Sequence, residues 1–462
     1  LALIVPLITS PYLARVLGAD NLGIYSYMIS VCTIFSTIGL IGLNSYGTRE
    51  VAYVKNNVKE RSEIFFELTI LRVILLIISF AIFLVLYINT KYKIYSIIQL
   101  VWFIATFVDI VWFFSGVEEF KSVVISNTII RLLNLVLVFL LVKNSNDTAI
   151  YFIVTSGCTL LNIVILIPKL SKLIIVPAFR KLNLKRHLLP TLKIALPQMI
   201  SYIYFQMDKV LLEAITNSTS LVAYYDQADK IVQVPVIAIT AVGTVMLPRT
   251  AHIFKNSSIN DLENIIRVTV INSIVIILPM MFGVMMIIND MIPWYLGEEF
   301  IPVSKIVIFM CPIIFARALS SISSNQYFIA TNKTKQLTIT YSISAILNIV
   351  IDVVTIPYLQ CYGAVIGTVV AEFFVTFSQY YFMNKEIKLD WILKIVIRYV
   401  IYSVLSMIPV ILIGKVMEVS ILKTVLQIIS AVIIYLIILF ITKDKQLEDI
   451  INVLLKNRKK ST

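Results

Sequence analysis

The sequence predicts an all-α membrane protein of about fourteen transmembrane helices, counted at roughly twenty apolar residues per span. Three observations carry this. Of the 462 residues, 59% are hydrophobic and only 14% charged, where a soluble chain carries about 25% charge. The apolar residues fall in long continuous runs separated by short polar stretches. These runs do not alternate with period two, which sets aside a β-barrel.

The runs are, in order, 1–17, 24–43, 68–88, 94–116, 123–142 and 150–170, then 194–215, 221–247, 268–288, 303–324, 337–357 and 364–383, and last 395–413 and 421–441. The first opens already apolar at Leu1 and without an initiator methionine, so it reads as a truncated first helix and not as a cleavable signal. Between the first two runs, Gly18 to Gly23 reads as a hairpin turn, with Arg15 about one turn below the surface.

Lysine and arginine set the orientation. Alternate loops beginning with Arg49, Lys55, Lys59 and Arg61 carry most of them, including the linker with Lys169, Lys172, Arg180, Lys181, Lys185, Arg186 and Lys193. The opposite loops hold Lys91, Lys93, Lys143 and Lys415. Both termini are therefore expected in the cytoplasm. The net charge of +13 and pI near 9.4 follow from such loops, and with no zinc-finger or RNA-binding motif present no nucleic-acid partner is expected.

An internal repeat divides the chain. Phe114, Lys121, Leu133 and Asn134 recur as Phe328, Lys335, Leu347 and Asn348, a constant offset of 214. Tyr25, Gly42 and Arg49 parallel Tyr224, Gly243 and Arg249 at offsets near 200. The expected organisation is an N-lobe over 1–170 (helices 1–6), a basic cytoplasmic linker over 171–193 and a C-lobe over 194–383 (helices 7–12). Helices 13–14 and a basic tail occupy 384–462. The two six-helix lobes are parallel repeats related by a pseudo-two-fold axis along the membrane normal.

Charges inside spans mark substrate or ion pathways, or else snorkel to the interface. Those to weigh are Arg15, Asp109, Arg131, Asp208, Lys209, Asp229, Lys230, Arg317, Asp352, Glu372 and Arg398. Arg398 and Lys209 suit snorkelling. If Arg15, Arg131 and Arg317 face a cavity, its potential is positive and its cargo anionic, since the guanidinium fork suits phosphate oxygens. Asp109, Asp352 and Glu372 then bind a coupling ion or pair with the arginines. Asp208–Lys209 and Asp229–Lys230, on consecutive helices, are candidates for mutual pairing.

Catalysis finds little support: there is no GxSxG, HExxH or P-loop, so no enzyme activity, cofactor or metal site is expected. His187 and His252 fall in basic loops and are expected to be solvated. Cys32, Cys158, Cys311 and Cys361 are scattered and are expected to be packing residues.

The stretch Pro11-Tyr-Leu-Ala-Arg-Val-Leu-Gly-Ala-Asp-Asn-Leu-Gly-Ile-Tyr-Ser-Tyr27 and the segments Gly42–Glu50 and Trp112–Phe120 resemble the polysaccharide transporter family. These are the Wzx-type lipid-linked oligosaccharide flippases of the multidrug/oligosaccharidyl-lipid/polysaccharide superfamily. Leu196-Pro-Gln, Asp208-Lys-Val and Tyr224-Tyr-Asp-Gln-Ala-Asp-Lys230 fit the same pattern. The resemblance implies a bacterial cytoplasmic-membrane flippase that carries an undecaprenyl-pyrophosphate-linked oligosaccharide between leaflets by alternating access, in capsule, O-antigen or exopolysaccharide assembly. It also implies coupling to H+ or Na+, and a polysaccharide polymerase and glycosyltransferases of the same pathway as partners beside membrane lipid. Carried onto this chain, it makes Arg15, Arg49, Arg131 and Arg317 cationic cavity residues. Asp109, Asp208, Asp229, Lys230, Asp352 and Glu372 become ion-coupling or charge-pair residues, and Arg49 and Arg249 cytoplasmic gate residues. Three alternatives stay open: a flippase for a lipid-linked peptidoglycan precursor, a cation-coupled drug antiporter of the same fold, and a membrane polymerase or glycosyltransferase.

Overall fold

The computed structural model describes residues 4–177, 182–256 and 259–444, without the side chains of 4, 193–198, 201, 241–245, 248, 249, 252, 255, 256, 259 and 260. Within these residues the chain is helical and has no strand. Ten helices are long and apolar enough to cross a membrane, and the pair Glu298–Met310 and Pro312–Ile329, bent by 49°, makes an eleventh if read as one broken span. The protein is thus a multi-pass α-helical membrane protein. It divides into two compact units, Leu1–Asp226 and Gln227–Thr462.

The first unit opens with α1 (Ile4–Leu40), and here the structure corrects the expected six-residue turn. The backbone leaves the helix only at Gly18 (φ 76°, ψ 175°), a conformation open to a residue without Cβ. Thirty-seven straight helical residues would run about 55 Å, far beyond a hydrocarbon core of about 30 Å, and the break at Gly18 separates a short arm from a bilayer-length rod. Gly23 stays helical; a Cβ there would lie 1.7 Å from the Thr219 carbonyl oxygen, so its role is a close backbone approach.

After α2 (Leu43–Tyr53) and α3 (Val58–Tyr87), the expected span 94–116 is built from three pieces, α4 (Lys93–Ile98), α5 (Leu100–Phe107) and α6 (Val111–Gly116). Asp109 causes the second break. Its carboxylate accepts the Val111 N–H (3.0 Å), the local competition for backbone donors that interrupts helices. Trp112, Phe113 and Phe114 are buried around Phe65, with the Phe65 and Trp112 rings 5.8 Å apart. The third sequence motif is therefore the aromatic core of this unit. The hairpin of α7 (Phe120–Leu141) and α8 (Thr148–Leu170) follows, then α9 (Lys185–Thr216) and the start of α10 (Thr219–Asn256).

Leu173, Ile175 and Asn183, between α8 and α9, bond to α3. Arg61 donates to the Leu173 carbonyl (2.7 Å), Ser62 Oγ accepts the Ile175 N–H (3.0 Å), and Glu67 accepts the Asn183 N–H (2.6 Å).

The second unit continues α10 into α11 (Ile259–Tyr295), then the bent pair α12 (Ile301–Met310) and α13 (Pro312–Ser323), closed by a π-turn at Ser324–Ile329. The hairpin of α14 (Thr334–Leu359) and α15 (Cys361–Met383) precedes α16 (Ile392–Ser406), α17 (Ile408–Val416) and α18 (Ile421–Ile441). These last helices pack on α11. Lys423 donates to Asp290 (2.9 Å), as does Gln427 (2.8 Å), which fastens α18 to α11. Cys32, Cys158, Cys311 and Cys361 are all buried, and none of them forms a disulfide.

Candidate functional site

A polar cavity of about 350 Å³ lies in the first unit between α7, α8 and the N-terminal arm of α1. From α7 come Asn127, Arg131 and Asn134; from α8 come Thr155, Cys158, Thr159 and Asn162; Val5 and Ile130 supply apolar wall. The spacing explains the arrangement. Residues 127, 131 and 134, like 155, 159 and 162, stand at i, i+4 and i+7, one face of a helix, and the two helices form one hairpin. Asn162 donates to the Asn127 amide oxygen (2.9 Å) and its own side-chain oxygen accepts from Ser126, whose hydroxyl also reaches the Asn162 carbonyl (3.0 Å).

Arg131 is exposed on this cavity, and among the described residues it has no hydrogen bond or ion pair. No carboxylate lines the cavity among those residues. An unneutralised guanidinium halfway along an apolar helix is tenable only beside water or an anion. Chemically, the cavity offers fixed amides, hydroxyls and one cation.

The other expected residues are placed differently. Arg317 is buried on α13, where its Nε donates to Glu372 (2.7 Å) on α15 and its Nη1 meets Asp229 (3.2 Å) on α10. That network neutralises the guanidinium and joins three helices. Arg15 is exposed three residues before the Gly18 break. Arg49, exposed on α2, pairs with Glu50 (2.8 Å) and lies 5.4 Å above the Tyr46 ring. The Arg249 and His252 side chains lie outside the described residues. Lys230 is exposed on α10.

Asp208 is buried and accepts from the Tyr225 hydroxyl. Lys209 pairs with Asp226 (2.5 Å), which also accepts from Ser26 (2.8 Å). Pairing thus joins α9 to α10, through Asp226 and Tyr225. Asp352 is buried on α14, where a Cβ on Gly367 of α15 would come within 2.0 Å of its Oδ1. Arg398 is exposed on α16.

Several charged and polar residues escaped the sequence reading. Arg72, 1% exposed, donates to the Asp109 carbonyl and to Asn44, with its Nη1 3.3 Å from the Asp109 carboxylate. His187, expected to be solvated, is 2% exposed on α9; its Nε2 sits 2.6 Å from Glu67 and its Nδ1 2.8 Å from the Tyr46 hydroxyl. The correction has a tertiary cause: α9 begins early enough to carry His187 under α2 and α3. Glu213 is buried with Tyr92 (2.5 Å) and Lys91 (2.9 Å). The cavity amides had a readable signal, a polar stripe at helical spacing inside apolar runs.

The second unit holds a different recess, a groove of about 460 Å³ between α11, α17 and α18. Its walls include Val275, Pro279, Val284, Met407, Ala431 and Leu436, and apolar atoms line almost all of it.

The sequence pattern of the family described as polysaccharide biosynthesis protein matches residues 1–254, more than half of the chain. A Shigella dysenteriae protein named for O-antigen transport is 26% identical over 400 residues, 83% of this chain and 96% of that protein. Among solved structures, the lipid II flippase MurJ in an inward closed conformation superposes with a TM-score of 0.76 at 17% identity, covering 96% of this chain and 97% of that one. An inward-facing multidrug resistance MATE transporter of the MOP superfamily gives 0.59 at 13% identity, over 83% and 97%. These two likenesses are likenesses of fold.

Proposed function

The chain belongs to the polysaccharide biosynthesis protein family, and on that premise we propose that it is a flippase carrying polyprenyl-pyrophosphate-linked oligosaccharides across the bacterial cytoplasmic membrane. The observation that carries this is the α7–α8 cavity: a recess lined by amides, hydroxyls and one arginine with, among the described residues, no carboxylate. A pyrophosphate and its sugars cannot enter hydrocarbon without losing hydrogen bonds worth several kcal/mol per group, whereas a polyprenyl chain can stay in lipid. A wet recess reachable by the head group removes that barrier. The relative named for O-antigen transport spans nearly its whole length in the match, which supports the same cargo class.

Alternating access follows from the same chemistry. A cargo moves the inward–outward equilibrium only by binding the two states differently, and coupling to H+ or Na+ through buried carboxylates such as Asp208, Asp352 and Glu372 supplies a second difference. The protein acts as a transporter and hands its cargo to the polymerase and glycosyltransferases of the pathway. Both termini face the cytoplasm, as the basic loops require. A drug antiporter for organic cations fits poorly, because the cavity lining carries Arg131 and, among the described residues, no acidic group.

The test is complementation of a flippase-null strain, scoring surface polysaccharide and lipid-linked repeat units. Wild type is expected to restore polymer. Arg131→Ala is expected to leave precursor on the inner leaflet at normal protein level, a loss of at least about tenfold for one charge-assisted contact. Restoration of peptidoglycan-precursor transport instead of polymer would move the cargo to the lipid II class. Export of cationic dyes with unchanged precursor would replace the reading altogether.

A further inference from the structure

The cavity has the chemistry of a sugar reader. A pyrophosphate presents only acceptors and two or more negative charges, and a site built for it gathers several cations. This cavity holds one, Arg131, among amides that can donate and threonine hydroxyl oxygens that can accept. Sugar hydroxyls need that mixture. The amides are also held in place: the Asn162 side chain is spent on Asn127 and Ser126, so Asn127 is fixed through its oxygen and keeps its amide N–H groups. Thr159, on the exposed face of α8, bonds back to the Thr155 carbonyl (2.9 Å), which orients its hydroxyl oxygen as an acceptor. Rigid, preoriented polar groups discriminate best, because a cargo lacking the matching hydroxyl leaves them unpaired.

We propose that the recess between α7 and α8 is a saccharide subsite that reads one sugar of the cargo, with Asn127, Asn134 and Thr159 bonding its hydroxyls and Arg131 donating to its most electron-rich oxygen. This rests on the flippase reading and deepens it: these residues decide which repeat unit is carried, while the pyrophosphate is held elsewhere. The recess, about 350 Å³, matches the size of a single monosaccharide, so selection acts on one ring.

The experiment uses the full chain in lipid nanodiscs and two probes: undecaprenyl pyrophosphate, and the lipid-linked oligosaccharide that accumulates in a flippase-null host. Wild type is expected to bind the glycosylated lipid more tightly than the bare carrier. Asn134→Ala and Thr159→Val are expected to weaken the glycosylated lipid about tenfold each and shift the bare carrier less than about twofold. Thr159→Val keeps volume and helix, so it reports even if Asn134→Ala misfolds; a thermal melt separates the two cases. If both lipids weaken together, or inorganic pyrophosphate competes at the cavity, the recess holds the carrier phosphate and the proposal falls. Variants that bind both lipids as wild type does overturn it as well. A wild type that binds neither lipid sinks the flippase reading itself.

Discussion

The α7–α8 and α14–α15 hairpins are the same piece of the internal repeat, and they have opposite interiors. At the constant offset of 214, Arg131 corresponds to Ala345 and Asn134 to Asn348. In the first unit the face carrying Arg131 and Asn134 opens on a polar cavity. In the second, Ala345 is 7% exposed and Asn348 fully buried, and Gly363 and Gly367 bring α15 against α14. A Cβ on Gly363 would lie 2.6 Å from the Ile356 backbone nitrogen, whereas one on Gly157 of α8 would meet nothing within 4 Å. One hairpin is thus held apart by long polar side chains and the other sealed by small ones. Helix backbones in a membrane approach as closely as their smallest facing residues allow, so residue size at a few facing positions decides which hairpin opens on a cavity.

The sharpest way to break this comparison is Gly363→Ala. Backbone atoms of Ile356 cannot move aside as a flexible side chain would, so a loss of about 2–3 kcal/mol is expected, read as a large fall in the melting temperature of the detergent-solubilised protein. An unchanged melt would show that the second hairpin is as loose as the first. The matching change on the open side, Gly157→Ala, should stabilise by up to about 1 kcal/mol through helix propensity alone; a loss there would mean α8 is more tightly packed than its surroundings indicate.

The smallest effect sits at the hairpin ends. Glu119, just before α7, pairs with Lys169 near the end of α8 (2.6 Å). In the second unit the signs are reversed: Lys333, just before α14, pairs with Glu386 beyond α15. The Lys333 hydrogen bond holds the Glu386 carboxyl below the usual carboxylate range. A depressed carboxylate stabilises above its ordinary pKa and loses that contribution as pH falls through the lowered value. Acidification from neutrality past about pH 4.5 is therefore expected to lower stability by at most about 0.5 kcal/mol through this half-exposed pair. Melts of wild type and Glu386→Gln should converge at low pH and differ slightly at neutral pH; a difference that grows on acidification would reverse the sign.

Several span positions were legible from hydropathy, although ten or eleven spans stand among the described residues against the fourteen expected, and the expected spans 1–17 and 24–43 fall in the one helix α1. The run 421–441 coincides with α18, and 150–170 begins two residues inside α8. What hydropathy does not encode is where a helix bends or what its charges touch. The Gly18 break replaces a six-residue turn because a single left-handed residue is enough to redirect a helix. Arg131 and Arg317 look alike in sequence, each a lone arginine in an apolar run. Only the fold brings Glu372 and Asp229 to Arg317 and leaves Arg131 on a cavity. Arg72 and His187 were missed for the same reason, since their partners Asn44, Asp109 and Glu67 are distant in sequence.

The bonds from Leu173, Ile175, Asn183, Arg186 and His187 to α3 bear on where the chain can be divided. Arg61, Ser62 and Glu67, in the first turns of α3, bond to partners synthesised more than a hundred residues later. These bonds reach across the basic segment that looks like a linker, so that segment is a poor place to divide the gene into two co-expressed fragments. A cut near residue 180 would deprive Glu67 of Arg186 and His187 on the same polypeptide and leave a buried carboxylate waiting for a second chain to arrive.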